Sequence, residues 1–338
     1  MTGSTERRAR VVVSVPPTLR AQLFAPQEWD RLTGAADLTV LDAHTDRDAL
    51  ARALPGARAL ITSWGTPRLE GELLAAADTL ELVAHTGSAV APYVGEEVFR
   101  RGITVTQAGD AMAGPVAEVA LAFTLTLLHR IHRFDHALRT GADWENAGTA
   151  PPRHEIRGSR IGIVGASRTG RAYLALVRAL GAEVLVTDPY LDEEEAARLG
   201  VRSVPLPELL RSSRVVALHA PATAETRHLI GPEQLALMPD GAGLVNTARS
   251  WLVDERALAA ELLSGRLDAA IDVFDAEPLP VGHPFRTLPN ALLTPHQAAG
   301  TTECRLRLGA TALTEVLLTL RGAPPTHPVG PDALTRLH

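Results

Sequence analysis

Short β-branched or apolar runs alternate along the chain with longer segments whose apolar residues recur at helical spacing. This alternation is typical of βαβ units and predicts parallel sheets covered by helices. The predicted strands of the first third are 10–15, 38–42, 58–62, 80–84 and 103–106. Those of the second half are 160–164, 183–187, 214–218, 242–246, 268–272 and 291–294. The predicted fold class is therefore α/β, with two doubly wound parallel-sheet domains, the larger a Rossmann dinucleotide-binding domain.

The pattern between and after these two groups of strands predicts a discontinuous first domain. A long apolar helix from Pro115 to about Leu138 would leave the first sheet and enter the second. Another helical stretch, 299–321, follows the last strand, and we expect it to return to the first sheet. The predicted domains are residues 1–110 plus 299–338, and residues 111–298.

Composition narrows the class of protein. The net charge is −6, so no global positive field attracts nucleic acid or an anionic membrane surface. Arginine supplies all 33 basic residues, and the absence of lysine excludes Schiff-base, pyridoxal-phosphate and P-loop chemistry. The apolar stretch Val116 to Leu128 is interrupted by polar residues and is expected to be too short to cross a bilayer. We expect a cytoplasmic protein with no nucleic-acid or membrane partner.

The cysteine content also agrees with a cytoplasmic protein. Cys304 is the single cysteine, so the chain can form neither an internal disulfide nor a cysteine-based metal cluster. We expect a half-buried helix thiol rather than a nucleophile, and no metal site.

A glycine-punctuated turn follows the first strand of the second domain. Counted from Gly165, the sequence has the pattern G-x-S-x-x-G, with Ser167 in the middle and Gly170 at the end. Gly165 permits a tight turn, and Gly170 lets the next helix pack closely on the strand. The free amides and positive dipole end of that helix would bind a pyrophosphate. Ser167 places a side chain where the backbone would approach the phosphate, and it can also donate a hydroxyl.

Asp188 ends the next predicted strand. A carboxylate at this position hydrogen-bonds the adenosine ribose hydroxyls and repels a 2′-phosphate, so the pattern favours NAD over NADP. The alternative interpretation is that Asp188 caps a helix before Pro189.

Reactive side chains follow three strands of the second sheet. Arg249 comes just after strand 242–246 and could bind a carboxylate in a bidentate manner. Asp272 ends the next strand, Glu277 lies in the following loop, and His296 stands after the last strand. Each has a plain alternative as a solvated cation, an ordinary loop acid or a capping group. Together they would lie on the nicotinamide side of one sheet, because ligands bind beyond the carboxyl ends of parallel strands.

With these motifs in place, the chain resembles the D-isomer-specific 2-hydroxyacid dehydrogenase family over about residues 80–320. The matching segments are 161–170, 218–221 with Thr223 and Thr226, 246–249, 272–273 with 277–278, 294–296, and Val116-Ala117-Glu118.

The resemblance implies a two-domain enzyme, usually a homodimer, whose active site lies in the interdomain cleft. It would interconvert a small 2-oxo acid and a D-2-hydroxy acid with NAD(H). Arg249 would bind the substrate carboxylate and polarise the carbonyl. His296 would protonate the alkoxide while hydride reaches C2, and Glu277 would stabilise the imidazolium.

The same resemblance implies further contacts. The backbone amides of Thr86, Gly87 and Ser88 would hold the substrate carboxylate. The cofactor contacts it implies are Arg168 and Thr169 at the pyrophosphate, His219, Ala220 and Pro221 beside the adenosine, Thr226, and Thr247, Ala248 and Asp272 at the nicotinamide ribose or carboxamide.

Two departures, together with Ser167 in the glycine motif, indicate a divergent member. Many relatives carry Gly-x-Gly-x-Asp-Asn in the substrate loop, whereas this chain has Gly87-Ser88-Ala89-Val90-Ala91-Pro92, and Ser250 stands where a glycine usually follows the arginine. Trp64 either reaches the cleft and walls off a pocket or lies in the core. Few cations accompany these loops, which disfavours a phosphorylated substrate.

Two other functions stay open. A dehydrogenase of another small anion could use the same scaffold: Glu277 counts against formate, but an Arg–Glu–His set would suit activation of water for phosphite. A non-catalytic NAD-sensing protein, like the corepressors built on this fold, would keep the cofactor residues without turnover.

Overall fold

The computed structural model describes residues 8–335, which fold into two compact units. The first unit comprises residues up to Met112 together with those from Gly300, and the second comprises Ala113–Ala299. Each unit has its own sheet.

The first unit is built on a six-stranded sheet. Its strands are β1 (Arg10–Ser14), β2 (Asp37–Val40), β3 (Ala57–Thr62), β4 (Leu82–His85), β5 (Thr104–Gln107) and β13 (Pro328–Val329), in the spatial order β13-β5-β4-β3-β1-β2. Its helices are α1 (Pro17–Leu23), α2 (Pro26–Ala35), α3 (Arg47–Ala53), α4 (Gly71–Ala75), α5 (Glu96–Arg100) and α14 (Thr302–Leu320). All pairs are parallel except β13 with β5, which the strand pattern does not predict. Central residues such as Val12 and Leu60 are fully buried, as continuous apolar runs between helix layers require.

Helix α14 brings the end of the chain back to the first sheet, where it packs on β3, β4 and β5 and against α1. Gly309 is the point of closest approach. A β carbon there would overlap the carbonyl oxygen of Leu23, so only glycine fits.

The second unit has a seven-stranded parallel sheet. Its strands are β6 (Arg160–Val164), β7 (Glu183–Thr187), β8 (Arg202–Ser203), β9 (Val215–Leu218), β10 (Gly243–Asn246), β11 (Asp268–Ile271) and β12 (Ala291–Leu293), in the spatial order β12-β11-β10-β9-β6-β7-β8. Its helices are α6 (Ala113–His129), α7 (Ile131–Arg139), α8 (Trp144–Ala147), α9 (Arg168–Ala179), α10 (Glu193–Leu199), α11 (Leu206–Ser212), α12 (Pro232–Leu237) and α13 (Glu255–Leu263). The strand order reverses between β6 and β9, which is the usual place for a ligand in such a sheet. The predicted α/β fold class is confirmed, and β8 is an additional strand.

The prediction of one helix from Pro115 to Leu138 is wrong, because the helix divides at Arg130. This residue has a left-handed backbone, with φ of 57°. Its guanidinium donates to Asp268 at 2.5 Å and to the Gly241 carbonyl at 2.7 Å. Burial alone would raise the pKa of Asp268, but bonds from His132 and Arg133 and the charge of Arg130 bring it to about 2. This buried ion cluster fixes the break between α6 and α7.

Helical residues Gly109–His129 could cross a membrane by length and composition, being 21 residues long with a mean hydropathy of 1.7. The expectation that this region is too short is therefore wrong, because the helical stretch begins before Val116. Within the second unit, α6 packs along α9 and β9 to β11 and buries Ala120, Phe123 and Leu127. A core helix of a folded unit shows such contacts, so length and hydropathy alone do not indicate a span.

Candidate active site

The turn between β6 and α9 closes because two glycines stand at crowded points. Gly165 has φ of 97°, and a β carbon there would lie 2.5 Å from the backbone nitrogen of Ala220. A β carbon at Gly170 would overlap the carbonyl oxygen of Gly165. Any side chain at either position would push the turn away from its neighbours.

Ser167, which replaces the middle glycine, caps helix α9. Its hydroxyl accepts a hydrogen bond from the Gly170 amide at 3.3 Å. Its φ of −63° is ordinary for a residue with a side chain, so the substitution causes no backbone strain. The helix begins at Arg168, an exposed residue, with Thr169 half-buried beside it. The amino end of this helix therefore keeps the amides and dipole that favour an anion.

Asp188 organises the same turn from the end of β7. One carboxylate oxygen accepts a bond from the Ala166 amide at 2.6 Å, and the other accepts from the Tyr190 amide at 2.8 Å. Asp188 does not cap a helix: Asp192 is the N-cap of α10. Each oxygen of Asp188 has a second lone pair, so the carboxylate can still accept ribose hydroxyls.

The segment after β9 borders the glycine turn through its backbone. His219 is 4% exposed, and its ring packs against Tyr173 at an interplanar angle of 46°, with the ring centroids 4.9 Å apart. Burial lowers the pKa of His219 to about 3, so the ring is neutral. Ala220 is buried against Gly165, whereas Pro221 is exposed. Any contact of His219 with adenosine would therefore involve its backbone rather than its ring.

Thr226 closes the loop that begins at Pro221. Its hydroxyl donates to the Pro221 carbonyl at 2.7 Å and accepts from the Thr223 amide at 2.8 Å. Thr226 thus shapes the loop from within.

The loop after β10 is closed by Asn246, a residue that the family-like segment 246–249 contains but that we do not predict as functional. Its side-chain amide donates to the Arg249 carbonyl at 2.9 Å and accepts from the Ala248 amide at 3.1 Å. An asparagine at the end of a buried strand is a signal for such a turn. The Arg249 guanidinium donates back to the Ala248 carbonyl at 2.7 Å. Asn246 therefore positions Arg249.

Two further groups of this loop fit a bound ligand. Burial lowers the pKa of Arg249, and the negative charge of Glu277 partly opposes that effect. The Thr247 hydroxyl is buried and has no hydrogen-bond partner within residues 8–335. A buried polar atom without a partner is costly, which suits a ligand that supplies one.

Glu277 and His296 form a direct pair. Nδ1 of His296 lies 2.8 Å from Oε2 of Glu277, and the other carboxylate oxygen accepts from the Phe274 amide at 3.0 Å. The Glu277–Pro278 peptide bond is cis. The His296 side chain is 48% exposed and that of Glu277 is 37% exposed, so the pair is accessible to a substrate.

Asp272 holds the backbone that carries His296. The His296 amide donates to the Asp272 carbonyl at 2.8 Å, and φ of His296 is 52°. The Asp272 carboxylate accepts from the Thr294 hydroxyl, the Gln297 amide at 2.9 Å and the Ala298 amide at 3.0 Å. Asp272 is 1% exposed, so its visible role is to position the last loop.

Adjacent strands thus bring the predicted catalytic groups together. Arg249 follows β10, Glu277 follows β11 and His296 follows β12, at the same edge of the sheet. Glu277 is bonded to His296 and acts electrostatically on Arg249. A cation, a carboxylate and an imidazole arranged in this way can bind an anionic substrate and transfer a proton.

The loop after β4 in the first unit differs in part from expectation. The Thr86 amide and hydroxyl both donate to the Thr62 carbonyl, at 2.9 and 3.1 Å. The prediction that the Thr86 amide holds substrate is therefore wrong, because that amide extends the sheet ladder. Gly87 is buried and Ser88 is exposed. Trp64 is 45% exposed, so its interpretation as a core residue is also wrong.

The second unit has the features that a dinucleotide requires. Three of them are the glycine turn, the amino end of α9, and the buried Thr247 hydroxyl that has no hydrogen-bond partner within residues 8–335. Residues 121–298 match the family described as D-isomer specific 2-hydroxyacid dehydrogenase, NAD binding domain. The chain belongs to the D-isomer-specific 2-hydroxyacid dehydrogenase family. The predicted family is confirmed, and its NAD-binding domain supports a nicotinamide dinucleotide cofactor.

Two similar proteins are named as enzymes that act on different substrates. D-3-phosphoglycerate dehydrogenase of Mycobacterium tuberculosis is 35% identical over 311 residues, which cover 92% of this chain and 58% of that protein. The chain therefore spans little more than half the length of that relative. Glyoxylate reductase of Aeropyrum pernix is 32% identical over 321 residues, covering 94% of this chain and 92% of that protein.

A solved structure with a similar fold is the TT0316 protein from Thermus thermophilus. It has a TM-score of 0.81 and 31% identity, and the match covers 95% of this chain and all of that one.

Proposed function

We propose that the protein is an NAD-dependent oxidoreductase that interconverts a small 2-oxo acid and the corresponding D-2-hydroxy acid. The observation that carries the proposal is the His296–Glu277 pair at 2.8 Å, held at the same sheet edge as Arg249. Membership of the family supports the general redox chemistry.

Each catalytic group has one task in this account. NAD(H), when bound, supplies or accepts the hydride. Arg249 binds the substrate carboxylate and, being partly buried, stabilises the negative charge that develops on the carbonyl oxygen. Glu277 accepts from Nδ1 of His296, which leaves Nε2 to donate a proton to that oxygen. In the oxidation direction, the same nitrogen removes the hydroxyl proton.

The cofactor would lie along the second unit. Gly165, Ser167, Arg168, Thr169 and Gly170 would surround its pyrophosphate, and the backbone at His219, Ala220 and Pro221 together with Thr226 would border the adenosine. Thr247, Ala248 and Asp272 would border the nicotinamide ribose and carboxamide. The negative charge of Asp188 beside the glycine turn favours NAD over NADP, since it would repel a 2′-phosphate.

We assign residues 111–298 to cofactor binding and residues 1–110 plus 299–338 to substrate binding, with the amides of Gly87 and Ser88 toward the substrate carboxylate. We also propose a homodimer, which could cover the half-buried apolar residues Val119 and Leu121 of α6. A cytoplasmic location agrees with the single, buried and unpaired cysteine.

The site is also compatible with one alternative reaction, the oxidation of phosphite. Formate oxidation requires no proton from an imidazole, so the Glu277–His296 bond counts against it. Phosphite oxidation would need an activated water, which the accessible His296 could deprotonate.

The test is NADH oxidation by the purified protein with glyoxylate, hydroxypyruvate, pyruvate and phenylpyruvate, followed by chiral analysis of the products. We expect turnover with at least one 2-oxo acid and, where the product is chiral, the D configuration. NAD reduction with phosphite alone would support the alternative reaction. NADH binding without turnover on any of these substrates would instead indicate a non-catalytic NAD sensor.

A further inference from the structure

A group of aromatic rings lies at and after the ends of two neighbouring strands of the first unit. Trp64 follows β3, His85 ends β4, and Tyr93 lies shortly after β4. The Trp64 and His85 rings meet edge to face with their centroids 6.2 Å apart, and His85 stacks on Tyr93 at 4.4 Å. We name these three residues the aromatic shelf.

Buried hydrogen bonds fix the loop that carries Trp64. The Thr66 hydroxyl donates to the Ser14 carbonyl at 3.0 Å and accepts from the Ser63 amide at 3.1 Å. Ser63 is fully buried and Thr66 is 4% exposed, whereas the indole between them is 45% exposed. A large apolar ring presented on a rigid, buried turn loses little conformational freedom when it contacts a ligand.

The exposed indole lies beside the proposed carboxylate loop. A β carbon at Gly87 would lie 3.2 Å from Cζ2 of Trp64 and 2.7 Å from Nε2 of His85. Gly87 therefore lets the loop pass directly against the aromatic shelf. A substrate whose carboxylate is held at Gly87 and Ser88 would have its substituent within reach of the indole.

The charges of these loops disfavour a phosphate in that place. The chain contains no lysine, and residues 62–66 and 85–94 contain no arginine. Arg68, just beyond the first loop, pairs with Glu70 at 3.0 Å. His85 is 2% exposed and packed within the aromatic shelf, so its ring is not presented to an anion. A dianionic substituent normally needs arginine or lysine partners.

We propose that Trp64 forms the wall of a subsite for the substrate's C3 substituent, and that the enzyme prefers 2-oxo acids with an apolar, aromatic or branched substituent over phosphorylated ones. The inference rests on the proposed function. It separates this chain from the relatives named D-3-phosphoglycerate dehydrogenase, although they match it at 35% identity.

The test compares kcat/KM for phenylpyruvate, glyoxylate and 3-phosphohydroxypyruvate with NADH as reductant. For the wild-type protein, we expect phenylpyruvate to exceed the phosphorylated acid by at least about tenfold, as one favourable apolar contact allows. In Trp64→Ala, the ratio of kcat/KM for phenylpyruvate to that for glyoxylate should fall about tenfold, mainly through KM. Trp64→Phe should restore most of the ratio. Trp144→Ala, which removes an indole that is 84% exposed in the second unit, should leave it unchanged.

The outcomes separate the two proposals. Preference for 3-phosphohydroxypyruvate, or an equal loss for both unphosphorylated substrates in Trp64→Ala, would overturn the subsite while leaving 2-oxo acid reduction intact. Absence of turnover with every 2-oxo acid, despite NADH binding, would overturn the proposed function and the subsite with it.

Discussion

Nδ1 of His296 lies 2.8 Å from Oε2 of Glu277, although the two residues follow different strands. The Phe274 amide fixes the other carboxylate oxygen of Glu277, so the carboxylate approaches the imidazole in one orientation. This arrangement leaves Nε2 as the nitrogen available for proton transfer.

Replacement of Glu277 by glutamine tests the role of the carboxylate. Glu277→Gln keeps the shape of the side chain but removes the charge that stabilises an imidazolium. We expect kcat for 2-oxo acid reduction to fall at least about tenfold, because general acid catalysis weakens. Steady-state kinetics should show no such loss for Glu233→Gln, a change at an exposed acid of α12 in the same unit. Wild-type kcat in Glu277→Gln would show that the pair is only structural.

Asp188 should set the choice between NADH and NADPH. Asp188→Asn retains an oxygen that can accept from the Ala166 amide but removes the negative charge. We expect the kcat/KM preference for NADH over NADPH to narrow, because a 2′-phosphate is no longer repelled. Asp240→Asn, at an exposed acid of the same unit, is the matched control. An unchanged preference in Asp188→Asn would contradict a role in cofactor selection.

Replacement of Gly165 by alanine should lower the stability of the protein more than the same replacement at another glycine of similar conformation. Gly181 has φ of 84°, but a β carbon there would first meet the flexible Arg157 side chain at 3.4 Å. Gly165→Ala combines positive φ with a clash against the Ala220 backbone and should cost about 2–4 kcal/mol of stability, against about 1 kcal/mol for Gly181→Ala. Thermal unfolding and NADH titration measure both variants. Equal losses would show that the turn can move away from Ala220.

A buried carboxylate in the first unit predicts a pH-dependent stability. Glu315 is fully buried on α14 and accepts bonds from the Thr326 amide at 2.9 Å and from His327 Nδ1 at 2.8 Å. Burial would raise the pKa of Glu315, but the bonds from Thr326 and His327 outweigh it and lower the pKa. The stabilisation is therefore present at neutral pH and is lost as the pH falls through the lowered pKa.

Glu315→Gln measures that contribution. We expect it to lower the free energy of unfolding by about 1–3 kcal/mol at neutral pH, and this deficit should shrink in acid as the wild-type carboxyl is protonated. Glu303→Gln, at an exposed position of the same helix, should show neither effect. A deficit independent of pH would mean that the charge of Glu315 contributes nothing.

The buried parallel strands could be predicted from sequence because their apolar runs are continuous. Val11–Val13 and Val215–Leu218 lie between helix layers, and almost no other element gives such a run. β8 gives no signal, since Arg202 and Ser203 are both exposed, and β13 is a two-residue strand that begins with proline. The break at Arg130 depends on Asp268, which lies far away in sequence.

In the candidate site, too, some features could be predicted from the sequence and others could not. The placement of Arg249, Glu277 and His296 at one sheet edge could be predicted because the ends of parallel strands converge there. The role of Asn246 in closing the Arg249 loop, and the loss of the Thr86 amide to Thr62, depend on hydrogen bonds that the local pattern does not specify.

Single-turnover reduction by His296→Ala is the most direct test of the central claim. With NADH bound, the variant should reduce a 2-oxo acid roughly 10²–10⁴-fold more slowly than the wild-type protein, because no group replaces the proton donor. NADH affinity should be retained, and His136→Ala, at a half-buried histidine of α7, should behave as wild type. A His296→Ala variant that transfers hydride at the wild-type rate would contradict the account.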